Sequence, residues 1–198
     1  MHQLRESRSS GQGVAFILAA IFTCISVVVP IVSGFDFGAI TFAFFFLLFT
    51  LILWGVVILG VIKRRYYGAP DIAISKPQVG VGEEFAMSYH HEFKRNIPVK
   101  QYIFRLIMRE SATYQRGTDT VTVTHDHKID EFGYPPQTFP RGHVIQDQWN
   151  VKIPPTGMHT FSARRNKIQW FIQIEIDGPG PLDVKREYEV IVLPQAVY

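Results

Sequence analysis

His125 and His127 have the spacing in this chain best suited to chemistry. Side chains at i and i+2 of a strand project from one face, and two imidazoles held in that way form half of a common metal site. A third ligand such as His91, beside His90 in another segment, would complete it. A chain so equipped would be a metal-binding sensor or a metal-dependent hydrolase. The neighbours argue otherwise: Thr120, Thr122 and Thr124 precede the pair, and Lys128, Asp130 and Glu131 follow. That is the composition of a solvated strand end, so no functional metal is expected, and His125, His127 and His91 stand only as candidates.

Other chemistries find less support. Glu83-Glu84 and Asp130-Glu131 are adjacent carboxylates, and neighbours in a strand point to opposite faces, so neither pair forms an acid–base couple by itself. No Gly-x-Ser-x-Gly elbow occurs. Gly80-Val81-Gly82 lacks the lysine and helix start that a phosphate cradle needs. Cys24 is the only cysteine, which excludes an intrachain disulfide and a cysteine-based zinc site. The expectation is therefore no catalytic residue, no cofactor and no enzyme.

The elements that would position these residues fall into two regimes. From Gly13 to Ile62 the only ionisable side chain besides Cys24 is Asp36. Val14–Val32 and Phe37–Ile62 are uncharged but for their flanks, and a bilayer core takes roughly 20 apolar residues to cross as a helix. Two transmembrane helices are expected, at about 14–32 and 37–62, joined by a tight turn at Ser33, Gly34 and Asp36 and so antiparallel. A cleaved signal peptide is the rival reading of the first segment, but its apolar run is too long for a signal core. No carboxylate, lysine or histidine lies at membrane depth, which argues against a transporter. Thr23, Ser26 and Thr41 can each bond their own helix backbone. Ala15 with Ala19, and Ala20 with Cys24, are small pairs suited to close packing within the hairpin.

The net charge of +3 invites a nucleic-acid reading, but its distribution dismisses it. Of 20 basic residues, five (Arg5, Arg8, Lys63, Arg64, Arg65) flank the apolar segments, leaving 15 beyond them; of 17 acidic residues, Glu6 and Asp36 are set aside, also leaving 15. Residues 66–198 are thus neutral, and no concentrated basic face for phosphate backbones is expected. The excess reports topology: by the positive-inside rule both chain ends face the cytoplasm, the inner face of the cytoplasmic membrane if the source is bacterial. Lys63, Arg64, Arg65, Tyr66 and Tyr67 would sit at the membrane interface, the tyrosines at headgroup level. The resulting division is a cytoplasmic tail at 1–12, the transmembrane hairpin at 13–68 and a soluble β-sandwich at 69–198.

Beyond Pro70 the hydrophobic period becomes two. Phe85, Met87, Tyr89, His91 and Phe93 alternate with Glu84, Ala86, Ser88, His90 and Glu92. Tyr102, Phe104, Leu106 and Met108 share a face in the next run. Further strands are expected at 71–75, 118–125, 144–152, 158–163, 167–177 and 186–193, separated by turn-forming residues. About eight short strands point to an antiparallel sandwich, immunoglobulin-like in outline, and the whole to an α+β membrane protein.

Trp149-Asn150-Val151-Lys152-Ile153-Pro154-Pro155-Thr156 leads to His159-Thr160-Phe161, then to Ile168-Gln169-Trp170-Phe171-Ile172, and closes on Tyr188-Glu189-Val190-Ile191-Val192-Leu193-Pro194. This order resembles arrestin-like β-sandwich domains: an apolar strand ending in an Ile-Pro corner, a threonine-marked hairpin, an aromatic-led strand and a closing Val-x-Val strand. The resemblance spans roughly residues 70–194 and is tightest over 149–194. It implies a fold and a non-catalytic scaffold or adaptor role, and it transfers no binding residue. Arrestins have two such domains and no transmembrane hairpin, so receptor binding is not implied.

Asp130–Gly142 is the expected contact segment for a protein partner, carrying Phe132, Tyr134 and Phe139 among three prolines and read as irregular. The alternative is that these rings fold back to cap the sandwich. Arg164, Arg165 and Lys167 form a basic hairpin tip that is expected to be solvated, the alternative being that it rests on anionic headgroups. The functional expectation is a non-enzymatic, membrane-anchored interaction or scaffolding module, or an accessory subunit of a larger membrane complex. Its partners would be the bilayer and another protein, not nucleic acid.

Overall fold

A computed structural model describes residues 1–4, 6 and 12–195. The elements in chain order are β1 (His2–Gln3), α1 (Gln12–Val32), α2 (Phe37–Tyr67), β2 (Asp71–Ile74), β3 (Gln78–Gly80), β4 (Glu84–Glu92), β5 (Ile97–Val99), β6 (Gln101–Arg116), β7 (Asp119–Tyr134), β8 (Gln137–Phe139), β9 (Val144–Lys152), β10 (Phe161–Ser162), β11 (Asn166–Asp177) and β12 (Val184–Leu193). They fall into two compact units: helices up to Arg65, and a β unit that resumes at Tyr66 and includes the N-terminal strand.

The helical unit is an antiparallel hairpin. Phe16 packs edge-on against Trp54 at 5.8 Å, and Phe22 against Phe46 at 5.4 Å, early residues of α1 meeting late ones of α2. Trp54 Nε1 donates to Thr23 Oγ1 at 3.2 Å. Thr23, Ser26, Thr41 and Thr50 each donate to the carbonyl four residues back, which satisfies the hydroxyl within its own helix. Ala19 and Ala43 are buried where the helices meet, while Cys24 is exposed. Asp36 starts α2 by accepting from the Gly38 amide at 3.1 Å. Only 11 % of the most apolar stretch of each helix is buried, and Phe44, Phe45, Phe49, Leu51 and Ile52 all point outward.

In the β unit two sheets face each other. One has the order β1-β2-β4-β9; the other runs β3-β12-β11-β6-β7, with β10 on β11; β5 and β8 pair separately. Every pairing is antiparallel except β3 with β12. The core follows the period of two: Phe85, Met87, Tyr89, His91 and Phe93 turn inward from the first sheet, and Tyr102, Phe104, Leu106, Met108, Trp170, Ile172 and Ile174 from the second. Tyr89 meets Phe104 edge-on at 4.8 Å across the interior. Trp170 is fully buried and its indole N–H still finds a partner, the Met158 carbonyl at 2.8 Å.

Three expectations need correction. The chain start is not merely a tail, since His2–Gln3 pairs with Ala73–Ile74. The second strand and the one expected at 118–125 are longer than expected: β6 and β7 form one hairpin of two sixteen-residue strands, turning at Gly117, whose φ is +64°. Ser111–Thr124 and Thr113–Thr122 hydroxyl pairs carry the ladder past the sandwich. Finally, the segment from Asp130 is not irregular, because Asp130–Tyr134 completes β7 and Gln137–Phe139 is β8. Gly133 permits this: a Cβ there would strike the backbone carbonyl of Tyr102.

Candidate functional site

His91 sits at the centre of the core, fully shielded from solvent. Its Nε2–H donates to the backbone carbonyl of Tyr67, and Nδ1 faces the hydroxyls of Tyr89 and Tyr102, each at 2.8 Å. Because the carbonyl can only accept, Nδ1 is the acceptor in neutral imidazole. Burial pushes the imidazole down to about 4, only partly opposed by the Tyr67 carbonyl. His91 is therefore a structural bridge and not a free ligand.

His125 and His127 lie on β7 with ring centroids 4.4 Å apart, sharing a face as the spacing required. His127 Nε2 approaches Glu110 at 3.4 Å, with both side chains substantially exposed. His91 belongs to the opposite sheet's interior face, so it does not complete the set. Among the described residues no three metal-ligating side chains converge.

The aromatic residues expected to contact a partner divide. Phe139 is 2 % exposed and stacks on Phe93 at 4.4 Å, nearly parallel, so it caps the core. Phe132 is half-buried, stacked on Phe104 at 5.2 Å and 4.7 Å from the Trp149 ring. Tyr134 is half-buried, and its hydroxyl donates to Asp147. Phe132 and Tyr134 nevertheless line an open cavity of about 540 Å³ with Pro135, Pro136, Lys100 and Asp177. The two rings thus have one side in the core and an edge on that cavity.

Lys63, Arg64 and Arg65 occupy the end of α2, which runs five residues past the expected stop. Tyr67, expected at the membrane interface, is buried in the core of the β unit, 1 % exposed. The helix end needs partners for its last carbonyls, and the β unit supplies them. The Lys94 amide donates to Tyr66 O at 3.2 Å, His91 to Tyr67 O, and Arg186 Nη2 to Gly68 O at 3.0 Å. Gly68 follows with φ +71°, the left-handed residue that ends such a helix.

A feature with no signal in one strand's sequence is the outer face of the larger sheet. Arg109 is bidentate to Asp126 (2.6 and 2.8 Å) and to Glu187 (2.8 and 2.9 Å), while its guanidinium lies 4.8 Å over the Phe171 ring. Arg105 bridges Glu131 at 2.5 Å and Glu175. The Arg109 guanidinium holds the Asp126 and Glu187 carboxyls below the usual range. These arms cover Ile103, Ile107 and Phe171, which are buried although they face away from the core. Cross-strand register creates this network, so only the pairing of β6 with β7 and β11, and of β11 with β12, reveals it.

Among the described residues no activated nucleophile or acid–base pair faces a cleft. No protein-family model matches the chain, and no curated protein matches its sequence. Among solved structures it is similar to Spo0M, a sporulation control protein from Bacillus subtilis, with a TM-score of 0.48, 15 % identity, 62 % of this chain covered and 48 % of that one. The match thus takes in about half the length of that protein.

Proposed function

We propose that the chain is a non-enzymatic module that anchors a β-sandwich at a membrane surface and engages another protein there. The observation that carries this reading is the helical unit. Its two helices are long enough to cross a bilayer, they turn bulky apolar side chains outward along their length, and the hydroxyls of Thr23, Ser26, Thr41 and Thr50 are bonded internally. In water such a surface would be far larger than the apolar patches a monomer tolerates; in hydrocarbon it is at home. The Lys/Arg bias supports a cytoplasmic side for both chain ends and the β unit.

The arrestin-like motif order supports an adaptor role for the sandwich. The cavity beside Phe132 and Tyr134 is the contact region for the protein partner, since its prolines limit the ordering cost of binding. The outward helix faces allow the alternative assembly, as an accessory subunit among other membrane helices. Two measurements test the reading. The protein is expected in the pellet after alkaline washing of membranes, with a reporter fused after Tyr198 active only in the cytoplasm; release by the wash, or a reporter on the outer side, sinks it. Mild-detergent purification is expected to bring down a stoichiometric protein partner, and Phe132→Ala with Tyr134→Ala to lose it.

A further inference from the structure

Tyr66, the first residue of the β unit, lies in the last turn of α2 and directly follows Lys63-Arg64-Arg65 in the chain. It lines an open cavity of about 360 Å³ together with Arg95, Asn96 and Arg141. The cavity is built by two turns fastened to each other. Asn96 Oδ1 accepts the Arg141 amide at 2.6 Å, Phe93 O accepts the Gly142 amide at 2.7 Å, and the Lys94 amide reaches Tyr66 O at 3.2 Å. Arg95 stands over the Tyr66 ring, 5.8 Å from its centroid.

Among the described residues neither the Arg95 nor the Arg141 guanidinium has an ion-pair or hydrogen-bond partner. This contrasts with Arg105, Arg109 and Arg186, which are all paired. The neighbouring carboxylate, Glu92, is taken by Lys94 at 2.6 Å. Two unpaired guanidinium forks and a phenol around one concavity make a receptor for a tetrahedral oxyanion, and the volume lies within the range of small-ligand sites.

We infer that Tyr66, Arg95 and Arg141 form a binding site for a phosphate ester, supplied by the headgroup of an anionic phospholipid. The source follows from position: if α2 crosses the bilayer as proposed above, the residue directly after its basic cluster sits at headgroup depth, where anionic lipid is concentrated. The inference rests on that reading, and soluble phosphate is the other source of the same chemistry.

The test uses the full-length protein in detergent, titrated separately with phosphatidic acid, phosphatidylcholine and inorganic phosphate, with bound lipid counted by native mass spectrometry. The wild type is expected to retain phosphatidic acid at least about tenfold better than phosphatidylcholine. Arg95→Gln with Arg141→Gln should abolish that preference, since each charge-assisted contact is worth about tenfold or more. Arg95→Lys with Arg141→Lys should keep part of it, because charge survives and the fork does not. Both side chains are exposed, and unchanged thermal unfolding of the variants verifies that the fold is intact. Saturable inorganic phosphate binding that the Gln variant loses, without lipid selectivity, would retain the phosphate site and overturn the lipid source. Equal retention of both lipids with no phosphate binding, or selectivity that persists in the Gln variant, rejects the site. A protein washed from membranes by alkali rejects the membrane reading instead, and the inorganic phosphate arm still judges the arginines.

Discussion

A single buried imidazole and a single outer-face arginine carry more of this structure than His125 and His127, whose spacing first suggested chemistry. His91 titrates at about 4 in the folded chain against an ordinary 6.5, so the unfolded chain takes up the proton first. Its contribution is fully present above about pH 6.5 and is lost as pH falls from there to about 4, by roughly 3 kcal/mol at about 1.4 kcal/mol per pH unit. Chemical denaturation across that window should show this acid limb, and His91→Gln should flatten it; an unchanged limb in the variant would refute the assignment. Arg109→Ala is expected to cost about 2–4 kcal/mol, because Glu187, whose side chain is 9 % exposed, loses its counter-charge. Lys76→Ala breaks a pair whose partners are both half-exposed, and no measurable loss is expected. Equal effects of the two substitutions would contradict the outer-face network.

At the scale of elements, the β6–β7 hairpin organises the larger sheet. It sets the register that brings Arg105 opposite Glu131 and Arg109 opposite Asp126. The register shift between Leu106 and Ile107 keeps both ends of β7 in step, with Ile129 turned toward the core. The tight approach at Gly133 holds the far end. Gly133→Ala should therefore destabilise the β unit by about 2–4 kcal/mol, because the clash is with backbone that cannot rotate away. Thermal unfolding checks it, and a loss below about 0.5 kcal/mol would mean that the strands part easily there.

At the scale of the whole chain, the two units present opposite surfaces. The helices place apolar side chains outside and bond their polar groups inside; the sandwich does the reverse, with a charged network over its outer sheet. That inversion is the physical basis for the membrane reading and for its topology test.

Much of this was legible in the residue order. An uncharged run long enough to cross hydrocarbon, a switch from no period to a period of two, and the placement of five basic residues are all local properties, and local properties survive without knowledge of the fold. The inward row from Phe85 to Phe93 was legible for the same reason. The rest depended on neighbours far away in the chain. Tyr67 left the expected interface because α2 continues past its basic cluster and the β unit caps its carbonyls. Phe139 left the expected surface because Phe93 offered it a stacking partner. The charged ladder and the Tyr66, Arg95 and Arg141 cavity each join segments separated by tens of residues. By itself the sequence determined which residues shun water and in what rhythm; only tertiary structure decided which of them meet, because meeting is a matter of strand register and not of composition.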